Sequence, residues 1–544
     1  MTGENPWYQD LGPTAADEAH VIVSEYAEHG IKIGGVPGPA DQGDRDTDAK
    51  GAGFMYAEGQ ILALQQYLDE IRETLRPHHI QVEVVKRVVR GVMLLRLSWI
   101  TEELPDSNEV RSESNDVSAE DDKNSESNET NPEGNEKSSV GNDGDGAAGD
   151  GTAGDDGKPP RGNGGDDYNE PPSVLKVLDY IDEALGVGVA TPDHVVTVAG
   201  DMAPCPATEP QEVYGPQEPF PPFCRGEGGA GVRIYIADTG LLKNATTTFP
   251  WLNGVNGEPD PRIGTGGVIK PYAGHGTFVA GVVRCMAPKA EIYVANVFNI
   301  AGSALESHFV PKLNKAFDFG FEILHLTIAS PTRKNHPMLA LGTWLELLHS
   351  YKGVVCVVAA GNNDTRRPSW PAAFPGTISV GALAADWRSR AYFSNYGGWV
   401  NVYAPGQNLI NAYASGKYTC KIAPYAGEIR TFSGLAQWSG TSFSTPIVTG
   451  LIAARMARCG ESGKEAAAAL LAEARAQTIP GVGPVLLPCC DDEDGNCCGH
   501  DRGGRGDCGC GRGGSDGCGG HGRGGRGHCG CGHCRSGHDR PGCP

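Results

Sequence analysis

Three short motifs carry an acid, a base and a nucleophile: Asp238 in IADTG, His275 in GHGTFVAG and Ser442 in SGTSFSTP. A serine hydroxyl attacks poorly at neutral pH unless a histidine takes its proton and later returns it to the leaving group. A carboxylate beside that histidine fixes its tautomer and stabilises the imidazolium. Each motif alone is common in Gly-rich chains, but together they indicate nucleophilic catalysis by Ser442.

The segments around these motifs predict the elements that position them. Asp238 closes the apolar run VRIYIA, which is typical of a buried parallel strand, so its carboxylate should lie at the strand tip. His275 and Ser442 each stand where a helix is expected to begin. The residues after Ser442 are apolar on all sides of that helix, which predicts burial in a core.

The order Asp, His, Ser, with GTSFSTP opening a helix, resembles the subtilisin-like serine peptidases, or subtilases. The resemblance covers about half of the 544 residues, over a predicted domain at 213–480. It implies a three-layer α/β fold with a mostly parallel sheet. It also implies a serine endopeptidase that cleaves an extended polypeptide through an acyl-enzyme.

The resemblance assigns further roles around the site. Asn362, after the apolar run VVCVVAAG, matches the amide of the oxyanion hole. Two segments are expected to bind substrate, one by strand addition and one beside the oxyanion hole: Thr327, Ile328 and Ala329; Ala359, Ala360 and Gly361. The chain lacks the Asn- and Gly-rich loop after the histidine helix that holds calcium in many relatives, so no calcium is expected there. Catalysis of this kind needs no cofactor.

The N-terminal part, 20–101 with 171–200, predicts a small α+β domain. HVIV at His20, IQVEVV, VMLLRLSW and HVVTVA indicate strands. Two sets of apolar residues have the spacing of an amphipathic helix and predict one helix each: Ile61, Leu64, Leu68, Ile71 and Leu75; Val174, Leu178, Ile181 and Leu185. The order βαββαβ is ferredoxin-like and resembles the subtilase propeptide, which implies an intramolecular inhibitor. A permanent accessory domain is the alternative. Residues 1–19 are expected to be disordered, and a Pro-rich junction is expected at 201–225, overlapping the start of the peptidase-like domain.

The segment 102–170 holds most of the chain's negative charge. It carries 21 Asp and Glu against 5 Lys and Arg, a net charge of −16 out of −22 for the whole chain. With almost no large apolar residues it cannot offset its ordering entropy, which predicts a disordered insert. A solvated linker and a docking segment for a basic partner both fit. This acidic chain also lacks the basic footprint of a nucleic-acid-binding protein.

The last segment, 489–544, is rich in Gly, Cys and His and predicts a flexible tail. It holds 11 of the 17 cysteines. Five of its residues have spacings that suit a thiophilic metal such as zinc: Cys529, Cys531, Cys534, His528 and His533. Metal binding, disulfide cross-linking and an unstructured tail all remain open.

The chain shows no secretory signal and no run of 18 apolar residues, so the expectation is a cytoplasmic or non-classically exported protein that does not cross a membrane. Two functions of other classes are alternatives to a peptidase. One is a catalytically silent peptide-binding scaffold, and the other is a metal-binding or interaction protein that acts through its tail. A narrower peptidase that matures one specific peptide is also open.

Overall fold

In the computed structural model, the described residues are 7–11, 13–37, 52–100, 172–198, 207–215, 217–224 and 226–488. The acidic insert at 102–170 and the tail at 489–544 lie outside these ranges. The predictions for both segments, including the tail metal ligands, therefore stay predictions.

Among its described residues, the N-terminal region contains three helices and five strands. They are α1 (Pro13–Ala27), β1 (Ile33–Pro37), β2 (Ala52–Leu64), α2 (Leu68–Leu75), β3 (Ile80–Val89), β4 (Val92–Trp99), α3 (Val174–Leu185) and β5 (Ala190–Val198). The strand order β5-β2-β4-β3 is antiparallel throughout, and β1 adds to β2. From β2 to β5 the elements follow the order strand, helix, strand, strand, helix, strand.

Three predictions for this region are wrong. HVIV at His20 is not a strand but part of α1, because Ala19, Ile22 and Tyr26 share one buried helical face. The same helix, with a 3-10 turn at Trp7–Asp10, gives order to much of the range 1–19 that was expected to lack it.

The helix predicted from Ile61 begins only at Leu68, and Ile61 and Leu64 belong to β2. β2 lies between β4 and β5 and is largely buried, so its apolar residues do not alternate cleanly with polar ones.

The peptidase-like region contains twelve strands and seven helices among the described residues. They are β6 (Arg233–Asp238), α4 (Ala245–Thr248), β7 (Asn256–Gly257), β8 (Val268–Ile269), α5 (His275–Met286), β9 (Glu291–Asn296), β10 (Ser303–Leu305), α6 (Glu306–Leu313), α7 (Lys315–Phe319), β11 (Ile323–Leu326), β12 (Ile328–Ala329), α8 (Leu339–His349), β13 (Val355–Ala359), β14 (Thr377–Leu383), β15 (Val402–Pro405), β16 (Leu409–Thr419), β17 (Ile429–Trp438), α9 (Thr441–Cys459) and α10 (Gly463–Ala476).

A parallel sheet of seven strands, in the order β15-β14-β13-β11-β6-β9-β7, forms the middle of three layers. Alternation along β6 sends Ile234 and Ile236 to one face and Tyr235 and Ala237 to the other. Helices α5, α9 and α10 cover the first face, and α6, α7 and α8 cover the second. The predicted three-layer α/β fold with a mostly parallel sheet is confirmed.

One face of the N-terminal sheet packs on the peptidase-like region. Leu62, Val88 and Leu94 share a core with Phe309 of α6 and Trp344 of α8. Helices α2 and α3 cover the opposite face of that sheet. Strand β5 is consequently buried along its whole length.

None of the helices within the described ranges is both long enough and apolar enough to cross a membrane.

Candidate active site

Asp238 and His275 meet at the carboxyl edge of the parallel sheet. Asp238 is the last residue of β6, and His275 is the first residue of α5. Gly274 makes this junction possible, since its φ of 76° would strain a residue with a side chain. The Nδ1 atom of His275 lies 2.8 Å from Oδ1 and 3.0 Å from Oδ2 of Asp238, and both side chains are fully buried.

The Asp238 carboxylate is held by two further hydrogen bonds. Thr327 Oγ1 donates to Oδ2 at 2.5 Å, and the Thr239 backbone N–H donates to Oδ1 at 2.6 Å. Burial acts to raise the pKa of Asp238, but the charge and hydrogen bonds of His275, with the bond from Thr327, outweigh it and lower the pKa. The carboxylate is therefore ionised and suited to pair with an imidazolium.

Ser442 is the second residue of α9, in the helix N-terminal turn where backbone N–H groups are not used within the helix. Its side chain is fully buried. Ser442 Oγ and His275 Nε2 are both buried without a hydrogen-bond partner among the described residues. Ser442 Oγ can act as a nucleophile, and His275 Nε2, in a ring that Asp238 holds through Nδ1, can act as the base.

Aromatic rings pack against the imidazole of His275. Phe443 packs with its ring centroid 5.2 Å from that of His275, and Trp438 meets the imidazole edge-on at 5.6 Å. Phe278 lies behind them, 4.5 Å from Phe443. Since Phe443 directly follows Ser442, this packing couples the start of α9 to the histidine ring.

Asn362 is fixed at the turn after β13 by the start of α9. Its Oδ1 accepts from the Thr441 backbone N–H at 2.8 Å and from Thr441 Oγ1 at 2.9 Å. Thr441 Oγ1 also accepts from the Gly361 N–H at 3.1 Å. These bonds orient the Asn362 side chain and attach it to Thr441, the residue directly before Ser442.

The two segments predicted to bind substrate face one another. Gly361 has a φ of 101°, and a Cβ added there would lie 3.4 Å from the Ala329 Cβ and only 2.4 Å from Asn395 Nδ2. Asn395 braces the turn, because its Nδ2 donates to Ala360 O at 2.9 Å and its Oδ1 accepts from Asn363 N at 2.9 Å. Glycine is therefore needed at 361 both for its backbone angle and for space.

The chain's own β5 occupies the strand-addition position. Val198 pairs with Ile328 and Thr197 pairs with Ala329 in an antiparallel ladder, and the other edge of β5 pairs with β10. Thr327 lies between β11 and β12, outside this ladder. Thr327, which precedes Ile328, bonds Asp238. Because the ladder is antiparallel, β5 therefore runs toward the Asp238 carboxylate.

A buried ion pair supports the residues around the triad. Arg262 is fully buried and contacts Asp260 at 3.0 Å, while it donates to Thr239 O at 2.9 Å. Asp260 Oδ2 accepts from Gly274 N at 2.7 Å. The pair thus links the residue after Asp238 to the residue before His275.

Sequence reasoning placed the triad candidates but missed several supporting side chains. Thr327 was expected to offer only backbone groups, whereas its hydroxyl binds Asp238. Asn395, Asp260 and Arg262 carry no motif of their own, and their partners are distant in sequence. The burial of Arg262 is visible only in the structure, so no local sequence signal pointed to it.

Comparison with known proteins agrees with this geometry. A family model described as the subtilase family matches residues 229–483. Subtilisin Savinase of Lederbergia lenta is 31% identical over 244 residues, which cover 42% of this chain and 77% of that protein. M-protease of Shouchella clausii is also 31% identical over 244 residues, but this chain spans only 55% of its length.

Among solved structures, a cold adapted subtilisin-like serine proteinase is 22% identical, covers 49% of this chain and 92% of its own, and has a TM-score of 0.35. The sequence match to Savinase extends over more than three quarters of that relative, and the family model spans the three motifs around Asp238, His275 and Ser442. This chain belongs to the subtilase family of subtilisin-like serine peptidases.

Proposed function

We propose that this chain is a serine endopeptidase that hydrolyses peptide bonds of an extended polypeptide through an acyl-enzyme. The observation that carries the proposal is the buried Asp238–His275 pair, 2.8 Å apart, beside the helix start that holds Ser442. In this assignment Ser442 is the nucleophile, His275 the general base and then acid, and Asp238 the group that orients the imidazole.

The reaction is balanced by side chains and water alone. Ser442 Oγ attacks the carbonyl carbon while His275 Nε2 takes the hydroxyl proton. The tetrahedral intermediate collapses, the C–N bond breaks, and the proton passes from His275 to the leaving amine. Water then attacks the acyl-enzyme by the same proton path, which releases the acid product and restores Ser442.

Two donors are proposed for the oxyanion. The Asn362 amide is oriented through its Oδ1, and the Ser442 backbone N–H lies in the first turn of α9. The partial positive charge of a helix N-terminus favours the negative oxygen. Thr441, the residue before Ser442, holds the Asn362 side chain, so the two donors are fixed relative to one another and little reorganisation is needed during the reaction.

A fluorophosphonate probe tests the assignment. We expect an adduct on Ser442, located by peptide mass, since the probe reacts only with a serine activated by an assembled base. A chain that resists labelling even after the N-terminal region has been removed would favour the silent peptide-binding scaffold. An adduct on another serine would reject Ser442 as the nucleophile.

Asn362→Leu is expected to lower kcat by about 10²–10³ with KM little changed, the range known for removing one such donor in subtilisin, a member of this family. The reason is that the lost hydrogen bond forms only in the transition state. Turnover of a chromogenic peptide at several substrate concentrations measures kcat and KM separately.

Thr441→Val is the matched control for that variant. It removes the hydroxyl that bonds Asn362 Oδ1 but leaves the amide, so the loss of kcat should be smaller. If both substitutions lower kcat equally, the effect comes from a disturbed turn and Asn362 is not an oxyanion donor.

We further propose that the N-terminal region inhibits the peptidase in the same chain until it is cut away. Strand β5 lies between β10 and β12, and Ser330 Oγ donates to Val195 O at 3.1 Å. A substrate strand needs these same backbone groups, so it cannot bind while β5 is in place. A permanent accessory domain would instead leave the chain uncut.

The contact of Asp193 with α6 provides a test of this docking. The fully buried Asp193 carboxylate accepts from Ser307 N at 2.9 Å and from Ser307 Oγ at 2.6 Å. Burial raises the pKa of Asp193 to about 7. Asp193→Ala removes both bonds, and each intramolecular hydrogen bond contributes about 0.5–1.5 kcal/mol. In the Ser442→Ala chain we expect amide hydrogen exchange of residues 190–198 to accelerate by about tenfold to one hundredfold.

Gln60→Ala is the control, because Gln60 bonds the same carboxylate from within the N-terminal region. It should change exchange of β5 less than Asp193→Ala does. Unchanged exchange in Asp193→Ala would show that this contact does not hold β5 in the cleft.

A further inference from the structure

Two cations of the peptidase-like region contact two carboxylates of the N-terminal region. Arg333 Nη1 lies 2.7 Å from Asp182, and its Nη2 lies 2.5 Å from Asp179. Lys334 Nζ lies 3.0 Å from Asp179 and 2.8 Å from Asp182. Each cation therefore touches both carboxylates, and all four residues form one cluster.

These contacts are partly shielded from solvent. The Arg333 side chain is 10% exposed and that of Asp182 is 6% exposed, whereas Asp179 and Lys334 lie at the rim. The hydrogen bonds that Lys334 donates to Asp182 and Asp179 raise the pKa of Lys334. Desolvation opposes ionisation of Asp179, but the bonds from Lys334 and Arg333 still lower its pKa. If α3 moved away, both cations would lose their counter-ions.

The loop that carries the two cations is held by the peptidase-like region itself. Arg367 donates to Thr332 O at 3.2 Å and to the side chain of Asn335. Lys334 and Asn335 both have a φ of 55°, a left-handed conformation that non-glycine residues keep only when their surroundings enforce it. The cations should consequently keep their positions when the N-terminal region leaves.

The loop follows β12 directly and so lies along the path of a bound strand. The Arg333 backbone N–H donates to His194 Nε2 at 3.3 Å. His194 lies in β5, three residues before Thr197, and Thr197 pairs with Ala329. Because β5 runs toward Asp238, the cations lie beside the part of a bound chain that is N-terminal to the cleft.

We propose that Arg333 and Lys334 form an exosite for an acidic segment of the polypeptide substrate, N-terminal to the bond that is cleaved, and that Asp179 and Asp182 cover this exosite in the full chain. The proposal rests on the proposed peptidase function. A guanidinium and an ammonium side by side suit adjacent Asp or Glu side chains, since the fork of Arg333 binds two carboxylate oxygens and Lys334 adds a point charge. Partial exposure makes this recognition sensitive to salt.

Binding can be tested without catalysis in the full chain with Ser442→Ala. We define the uncovered chain as this protein with Asp179→Ala and Asp182→Ala, and the neutral chain as the uncovered chain with Arg333→Gln and Lys334→Gln. The probe is a fluorescein-labelled octaglutamate peptide, followed by anisotropy at low salt. We expect the uncovered chain to bind at least tenfold more tightly than both the neutral chain and the parent, and to lose binding as salt rises.

Two controls separate charge from folding. The uncovered chain with Arg333→Lys keeps the charge and should retain most of the binding. The uncovered chain with Lys289→Gln and Lys421→Gln loses two exposed cations elsewhere and should bind like the uncovered chain. Equal affinity of the uncovered and neutral chains would overturn the exosite, and equal affinity of the uncovered chain and its parent would overturn the covering by Asp179 and Asp182.

Kinetics of the self-processed wild type test the link to substrate. Two peptides share one cleaved sequence and differ only in four upstream residues, Glu in one and Gln in the other. The wild type should show about tenfold higher kcat/KM for the acidic peptide, through KM, and Arg333→Gln/Lys334→Gln should bring the ratio near one. The same ratio in both proteins would overturn the substrate role, while failure to cleave either peptide would reject the peptidase assignment instead.

Discussion

Ser442→Ala is expected to remain a single chain of 544 residues, whereas the wild type loses about its first two hundred. The expected loss of peptidase turnover is about 10⁶-fold, the scale known for subtilisin, because the nucleophile has no substitute in the site. Intact mass after expression and incubation measures the processing. The new N-terminus should lie after Val198, where β5 ends, and before β6 begins at Arg233.

Ser444→Ala is the matched control for this prediction. Ser444 is buried in the same helix, and its hydroxyl donates to Thr441 O at 3.0 Å, away from the proposed chemistry. This variant should be processed like the wild type. If cleavage is intramolecular, its rate should not depend on protein concentration. Identical intact masses for the wild type and Ser442→Ala would reject self-processing and favour a permanent accessory domain.

Asp238→Asn is expected to lower kcat by about 10⁴-fold with little change in KM. The side chain keeps its shape, and the donors Thr327 Oγ1 and Thr239 N stay in place. An amide nevertheless cannot hold His275 in the tautomer that leaves Nε2 free to take a proton, nor can it stabilise the imidazolium. Steady-state hydrolysis of a chromogenic peptide gives kcat and KM.

Thr327→Val provides a graded comparison. It removes one of the donors to the same carboxylate, so a loss of about tenfold is expected from a single hydrogen bond to a charged group. Asp238→Asn must be the far weaker enzyme of the two. An Asp238→Asn protein within tenfold of the wild type would mean that this carboxylate does not act through His275.

Carboxylates of the N-terminal region recur at its interface with the peptidase-like region, and they bear on both the inhibition proposal and the exosite proposal. Asp193, Asp179 and Asp182 of the N-terminal region all meet donors of the peptidase-like region. Such contacts strengthen docking but leave unsatisfied donors once the N-terminal region departs. Under the exosite proposal, Arg333 and Lys334 then bind an acidic polypeptide in place of Asp179 and Asp182.

Local sequence was sufficient for the triad candidates and the layered fold. Asp238 ends an apolar strand and His275 and Ser442 begin helices, so chain direction alone brings all three to one edge of a parallel sheet. The hydrophobic patterns of β6, α5 and α9 are strong because these elements are buried, and the order of the motifs is independent of loop geometry.

Local sequence misled where a pattern was short or a strand was buried on both faces. The short segment HVIV at His20 fits a strand. The helical spacing of buried residues in α1, three and four positions apart, becomes clear only when Ala19, Ile22 and Tyr26 are taken together. The run that contains Ile61 has helical spacing, yet strand pairing on both sides of β2 decides its structure. The hydrophobic periodicity of one segment carries no information about which strands pair with it.

Only the tertiary structure decided where the N-terminal region contacts the peptidase-like region. Arg333 and Asp179 are 154 residues apart, and Ser307 and Asp193 are 114 apart, so no local pattern joins them. The place of Thr197 beside Ala329 likewise depends on strand register across the interface. Residue types and their spacing determine what chemistry each side chain can do. Long-range packing decides which side chains meet, because the folded chain must leave few buried charges and few backbone groups without partners.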